Sequence, residues 1–257
     1  MFSRSVTVIT AATGHANLAK CLKSVQAQTY PDVEHFVVTD GVEHQSKVAG
    51  VIAGLAASAK KIHTMTLPYP TGKNRWCGHR IYAAASFLVN SQYLCYLDED
   101  NWFEPAHIES LVLGIHADAA QWAYSLRKLV DINGNFVALD ECESLGHLHA
   151  VFDAPKENLI DTSCYLLPRE IAVEIAPIWY GPTARGAEGI EPDREVCMHL
   201  LKHRPRVYCS RQHTMNYTLG QGPLNVQSSY FLKGNQQMRE RYPQGLPWER
   251  APRRPRV

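Results

Sequence analysis

The chain has no apolar run of the roughly 20 residues that a membrane-crossing helix requires, so no transmembrane segment is expected. Its start, Met1 to Ser5, leads straight into an apolar strand without a hydrophobic signal region or small-residue cleavage site, so no signal peptide is expected. Seven cysteines are present, an odd number, and no two form a Cys-x-x-Cys pair. That pattern argues against a disulfide framework and for reduced thiols, hence a cytoplasmic protein, free or peripheral to a membrane. Charge of one sign is also missing. Twenty-six basic residues nearly cancel twenty-five acidic ones, leaving +1. Nothing in that balance favours nucleic acid or an anionic surface. The exception is Arg253-Arg254-Pro255-Arg256, which reads as a solvated basic tail. There is no internal repeat and no linker rich in Gly, Ser or Pro. One domain over 1–257 is therefore expected, with ample length to build its own core.

What is present is alternation of strand and helix patterns. Val6 to Thr10, Val33 to Thr39, Ile62 to Leu67 and Tyr93 to Leu97 read as strands. Between them, Asn17 to Gln28, Lys47 to Lys60 and Gly78 to Asn90 read as helices, and Pro105 opens another, a position proline favours. This alternation predicts an α/β fold, a mainly parallel central sheet flanked by helices. Ligands of such sheets lie beyond the carboxyl ends of the strands. The second half is more mixed. Trp122 to Val130 and Phe136 to Leu139 flank an Asn-Gly hairpin signal. Ser163 to Pro168, Arg206 to Ser210 and His213 to Thr218 suggest strands, and Asp193 to Lys202 and Val226 to Arg241 suggest helices.

The strongest local signal is Tyr96-Leu97-Asp98-Glu99-Asp100-Asn101, an apolar strand ending in three acids, after which Trp102-Phe103-Glu104-Pro105 is read as the start of a helix. Asp98 and Asp100, two apart at a strand end, can aim at one point. Hard oxygen ligands of that kind suit Mg²⁺ or Mn²⁺. The bland alternative is a solvated turn that caps the next helix. Asp40 ends another apolar strand before Gly41. It can accept hydrogen bonds from a base or ribose, or simply form an Asp-Gly turn. Thr71 to Arg80 is a cation-dense loop leading into a helix, which brings Lys73, Arg75 and above all Arg80 into consideration for phosphate. It is not a P-loop, because the glycine spacing and the following Ser or Thr are missing. Asp193 begins an apolar helix, as a capping residue or something more. His147-Leu148-His149 lacks the partners that would complete a zinc site. Trp179-Tyr180-Gly181 suits either a sugar-facing aromatic wall or the core.

The opening strand Val6 to Thr10, the stretch Leu22 to Glu34, the strand end Val37-Val38-Thr39-Asp40-Gly41 and the acidic motif together resemble family 2 glycosyltransferases. The resemblance runs from Val6 to about Asn235 and includes the stretch Leu166 to Leu200. It implies a GT-A, Rossmann-like single domain with a nucleotide-sugar-binding half (1–104), an acceptor-binding half (105–225) and a C-terminal helix and tail (226–257). It further implies a nucleoside-diphosphate sugar donor, a hydroxyl acceptor (glycan, lipid-linked or small molecule), and inversion. By the same resemblance the loop at Thr10, Ala11, Ala12 and Thr13 contacts the nucleoside together with Asp40, and Arg80 lies near the diphosphate. Asp98 and Glu99 belong to the nucleotide-sugar site, Asp98 and Asp100 hold Mn²⁺ or Mg²⁺, and His213 is a candidate third metal ligand. Asp193 is the acceptor base, with Glu191 and Glu188 next in line. The loop Ala11 to His15 departs from the family's usual proline and asparagine or tyrosine. Two other readings share the acid-rich site: a nucleotidyltransferase, which would open on a Gly-rich basic loop that Ala11 to His15 is not, and a non-catalytic binder of sugar nucleotides.

Overall fold

Four short runs form the first half of one sheet: three are largely buried on both faces, the remaining one is its half-exposed edge, and each pairs parallel to its neighbours. In the computed structural model, which describes residues 4–55, 60–72, 76–148, 158–180, 192–220 and 226–249, these are β1 (Val6–Ala12), β2 (Val33–Thr39), β3 (Ile62–Thr66) and β4 (Tyr93–Tyr96). Val6 lies opposite Val33 on one side and Tyr93 on the other, so β2, β1 and β4 start level and end on the same edge. The helices α1 (Leu18–Gln26), α2 (Gln45–Ala53) and α3 (His79–Ala85) return the chain between them. α1 buries Leu18, Cys21, Leu22 and Val25, the spacing of one helical face.

Beyond β4 the sheet continues through β8 (Tyr165–Pro168), β6 (Trp122–Val130), β9 (Val207–Thr218) and β5 (Trp102–Phe103), with β7 (Phe136–Leu139) paired to β6. The helices of this half are α4 (His107–Ala117), α5 (Arg169–Tyr180), α6 (Pro192–His203) and α7 (Ser228–Arg241). The sheet is parallel in the first half and mixed in the second, since β8 runs antiparallel to both β4 and β6 while β9 runs parallel to β6. The reversal at β8 decides the site. Leu94 pairs with Leu167, so the turn that precedes β8 sits on the edge where β4 ends.

Two local expectations change. The residues Trp102 and Phe103 are a two-residue strand opposite Asn216 and Met215, not the first turn of a helix. The helix begins at His107, two residues after Pro105. The runs 206–210 and 213–218 are one strand, β9, interrupted where Arg211 adopts a left-handed φ of 56°. The pairing with β6 slips by two residues there and by one more after His213, so the apolar pattern is broken and looks like two strands. The hairpin between β6 and β7 is as expected. Asp131 Oδ1 accepts from the Asn133 and Asn135 N–H groups and Gly134 takes φ +84°.

No helix among the described residues is long and apolar enough to cross a membrane. Lys73, Arg75, His149, Gly181, Glu188, Glu191 and the basic tail lie outside the described residues.

Candidate active site

The strand ends of β1, β2 and β4 open into a cavity of about 760 Å³. Ala11, Thr13 and His15 come from the end of β1, Asp40 from β2, and Asp98, Glu99, Asp100 and Asn101 from β4. The turn before β8 adds Asp161 and Thr162, α6 adds Asp193, and β9 adds Tyr217. The carboxylates called from sequence at Asp40, Asp98, Asp100 and Asp193 therefore share one cavity.

The described lining contains seven acids, with Glu43 and Asp161 beside those above and Glu99, and no lysine or arginine among them. Its only potential cations are His15, His44 and His79. Such crowding has a direct electrostatic effect. Asp98 is half-buried, and desolvation, then the charges of Asp100 and Asp161, hold its carboxyl above the ordinary range. Asp100 is raised as well, by burial first, with His15 opposing the shift. Tyr82 donates a hydrogen bond to Asp98 Oδ1, and Ser163 Oγ accepts from the Asp98 N–H at 3.1 Å. Tyr82 reaches this point because Gly78 leaves room: a Cβ there would stand 2.9 Å from the Ala11 Cβ and 3.1 Å from Tyr82 Cζ. Burial and the Asp98 charge raise the Tyr82 hydroxyl, which keeps it a donor.

Other predicted residues have structural duties. Glu99, at the cavity wall, is engaged by the loop after β1. Its Oε1 accepts from Thr13 N (2.8 Å) and Thr13 Oγ1 (2.6 Å), and its Oε2 from Gly14 N (2.9 Å) and His15 N (2.8 Å). Successive N–H groups around Gly14, at φ +81°, make an anion-binding nest. Glu99 fills it and so shapes the loop after β1. Of that loop, Ala11 and Thr13 face the cavity. Thr10 points into the sheet, bonded to His35 Nε2 at 2.8 Å, and Ala12 packs with Leu18, Leu22, Val37 and Val48. The side chains of Thr10 and Ala12 are thus core residues. Asp40 is a clamp. Its Oδ1 accepts from Thr71 N (2.6 Å) and Thr71 Oγ1 (2.8 Å), and its Oδ2 from Gly72 N (2.8 Å).

Arg80 is not among the lining residues. Its guanidinium lies 4.1 Å from the Trp76 ring centroid and 5.7 Å from that of Tyr180, and its buried Nε has no hydrogen-bond partner among the described residues. Trp179 and Tyr180 part company. Trp179 is buried and stacks on His79 at 5.3 Å, while Tyr180 is exposed beside Trp76. His213 does not join Asp98 and Asp100. It sits on β9 opposite Leu126, with Asp140 and Glu141 as its charged neighbours, because the register of β9 carries it away from the cavity. Among the described residues no group of three His, Cys, Asp or Glu side chains surrounds a point that could hold a metal ion. His147 bonds the Tyr124 hydroxyl at 3.0 Å.

Residues 5–174 match the sequence profile of glycosyl transferase family 2. The chain belongs to that family. A sequence search of curated proteins finds no match. Solved structures of similar fold include S. aureus TarS, with a TM-score of 0.60 at 13% identity, covering 84% of this chain and 37% of that one. TarS 1–349 in complex with UDP-GlcNAc gives 0.59 at 14%, covering 88% and 60%. TarS 1–349 in complex with UDP gives 0.58 at 13%, covering 84% and 61%. The GT-A fold expected from sequence is the fold observed. The chain spans 37% of the longer TarS chain and 60 to 61% of the shorter ones. The family 2 match stops at residue 174, before α6, so Asp193 enters the site on geometry.

Sequence reading missed Asp161, Ser163, Tyr82 and Arg127, which the structure gathers at or behind the acids. One signal was available: Arg127 interrupts the nine-residue apolar strand β6, of which it is a buried member. A buried charge in such a run needs partners, and Asp140 and Glu143, 13 and 16 residues on, supply two of them.

Proposed function

We propose that this chain transfers a sugar from a nucleoside-diphosphate sugar to an acceptor hydroxyl, with inversion at the anomeric carbon, and that Asp98 and Asp100 hold a Mg²⁺ or Mn²⁺ ion. The observation that carries the reading is the convergence of Asp98, Asp100 and Asp193 on a cavity whose described lining is acidic and without lysine or arginine. A diphosphate is repelled by such a wall unless a cation intervenes. Two half-buried carboxylates at one cavity wall whose protons are held unusually tightly fit a hard divalent ion, which leaves positions for phosphate oxygens and water. When bound, the ion offsets charge on the departing nucleoside diphosphate.

The chain's own residues supply the rest. Asp193 is the second residue of α6, inside the first turn and not at the capping position before it. Its carboxylate takes the proton of the acceptor hydroxyl as the oxygen attacks the anomeric carbon. The bond from that carbon to the diphosphate oxygen breaks on the opposite face, and the leaving group departs as the nucleoside diphosphate. Asp40, with the Thr71–Gly72 backbone it holds, lines the nucleoside end.

Calorimetry and thermal shift with nucleoside diphosphates test this reading. TarS has been crystallised with UDP and with UDP-GlcNAc, so UDP is the first ligand to try. Specific binding at a hundredfold excess over Kd stabilises the fold by about 3 kcal/mol. The expected result is such a shift with UDP and Mn²⁺ together, and little with either alone. No shift with any nucleoside diphosphate in the presence of Mn²⁺ would overturn the proposal.

Asp40→Ala separates the clamp from the contact. Three donors lose their acceptor, so the fold should weaken by about 1–3 kcal/mol, and nucleotide affinity should fall as the Thr71–Gly72 backbone shifts. Reduced stability with unchanged UDP affinity would show that Asp40 only closes the turn.

A further inference from the structure

The largest buried charge cluster of the described residues lies directly behind the acids. Arg127 is 3% exposed and donates to three carboxylates: Nε to Asp140 Oδ2 at 2.7 Å, NH2 to Glu143 Oε2 at 2.9 Å, and NH1 to Asp161 Oδ2 at 2.6 Å. The guanidinium also lies 4.4 Å from the ring centroid of Tyr217, a cavity residue. Burying this many charges is costly, and well-packed apolar side chains would often be no less stable. Stability is therefore a weak reason for the cluster. Its connections offer a better one.

The other oxygen of Asp161 accepts from the Ser163 N–H at 2.9 Å. Ser163 is fully buried, and its hydroxyl oxygen accepts from the Asp98 N–H at 3.1 Å and faces Asp98 Oδ2 at 3.5 Å. On the other side, Glu143 Oε1 accepts from Arg194 NH2 at 3.0 Å. Arg194 is the residue after Asp193. One guanidinium thus connects, through Asp161 and Ser163 on one side and Glu143 on the other, to the strand end that carries Asp98 and the helix that carries Asp193.

We propose that Arg127, Asp161 and Ser163 form a positioning chain that fixes the backbone and carboxylate of Asp98 for cation binding. The proposal rests on the reading that Asp98 and Asp100 hold the ion. None of the three residues need touch the donor. The planar guanidinium orients Asp161, Asp161 orients the turn at Ser163, and Ser163 sets Asp98. Partners that orient a metal-binding carboxylate typically matter by 10–100-fold in metal affinity. Arginine suits the hub because its rigid fork serves three acceptors at fixed angles, which a lysine ammonium does not.

The test compares wild type, Ser163→Ala, Arg127→Lys and Asp100→Ala. Three quantities are measured: thermal midpoint, Mn²⁺ binding by electron paramagnetic resonance, and UDP affinity with Mn²⁺ and with EDTA. Ser163→Ala is expected to fold and to bind Mn²⁺ about tenfold more weakly. The gain in UDP affinity on adding Mn²⁺ should fall with it, while UDP affinity in EDTA stays at the wild-type value. A merely structural serine would lower the midpoint and leave the Mn²⁺ gain intact. Arg127→Lys, if it folds, should reproduce the Mn²⁺ defect; if it does not fold, Ser163→Ala decides alone. A wild-type Mn²⁺ gain in Ser163→Ala, with that gain lost in Asp100→Ala, overturns the positioning chain and leaves the metal reading standing. No Mn²⁺ gain in the wild-type protein overturns both.

Discussion

Asp193→Asn is expected to lower the transfer rate by at least about 100-fold, the usual size of lost general-base catalysis, while nucleotide and Mn²⁺ affinity stay near wild type. A base acts as the acceptor attacks, so its contribution belongs to the transition state and not to donor binding. The change keeps the size of the side chain and removes its ability to take up a proton. Its cost to the fold should be small. Asp193 lies in the first turn of α6, after Pro192, where an acid gains about 0.3–1 kcal/mol from the helix dipole. A purely electrostatic role in the helix thus predicts a slightly less stable and fully active variant. Transfer rate and UDP affinity measured on one preparation decide the matter. Near wild-type transfer would move the base elsewhere in the cavity.

Chelation and Asp100→Ala should each abolish activity, for one physical reason. The described cavity wall brings seven acids together with histidines as its only potential cations. A nucleoside diphosphate entering it meets repulsion from Asp98 and Asp100 at close quarters. Removing one carboxylate relieves some of that repulsion but also removes one of the two ligands proposed for the ion. Weaker nucleotide binding in Mn²⁺ is therefore expected, and not stronger. Activity should vanish in excess EDTA and return on adding Mn²⁺ or Mg²⁺. Full activity in EDTA, or wild-type turnover in Asp100→Ala, would exclude a cation held at this pair.

Much of the first half of the molecule can be read along the chain, because it is built from local units. In β1-α1-β2, apolar period, turn residues and strand end all lie within one stretch of sequence, and parallel strands of similar length place their carboxyl ends together without further information. That is why Asp40 and the Asp98–Asp100 pair were legible as neighbours of a single cleft. The side chains of Thr10 and Ala12 turn to the core for a related reason. A loop contact was assigned to residues still inside β1, where alternate side chains face the core.

The second half was less legible. The short strand at Trp102 and Phe103 exists because β9 passes beside it more than a hundred residues later, and local pattern carries no trace of that partner. Glu99 looks like one of three equivalent acids. Only its contact with the loop at Thr13 to His15 separates its duty from that of Asp98 and Asp100. His213 lies late in the chain, where the resemblance suggests a third metal ligand, but the register of β9 against β6 faces it to Asp140 and Glu141.

The sequence by itself determined the α/β class, the strand ends at which the acids stand and the family to which the chain belongs. These depend on hydrophobic period and on residues adjacent in the chain. Packing of the whole sheet settles that β8 reverses, carrying Asp161 and Ser163 to the acids, and that Arg127 binds three carboxylates from two separate turns while α6 leans on the same cluster through Arg194. Those contacts link positions tens of residues apart, and a buried charge finds its partners through the packing of the whole sheet.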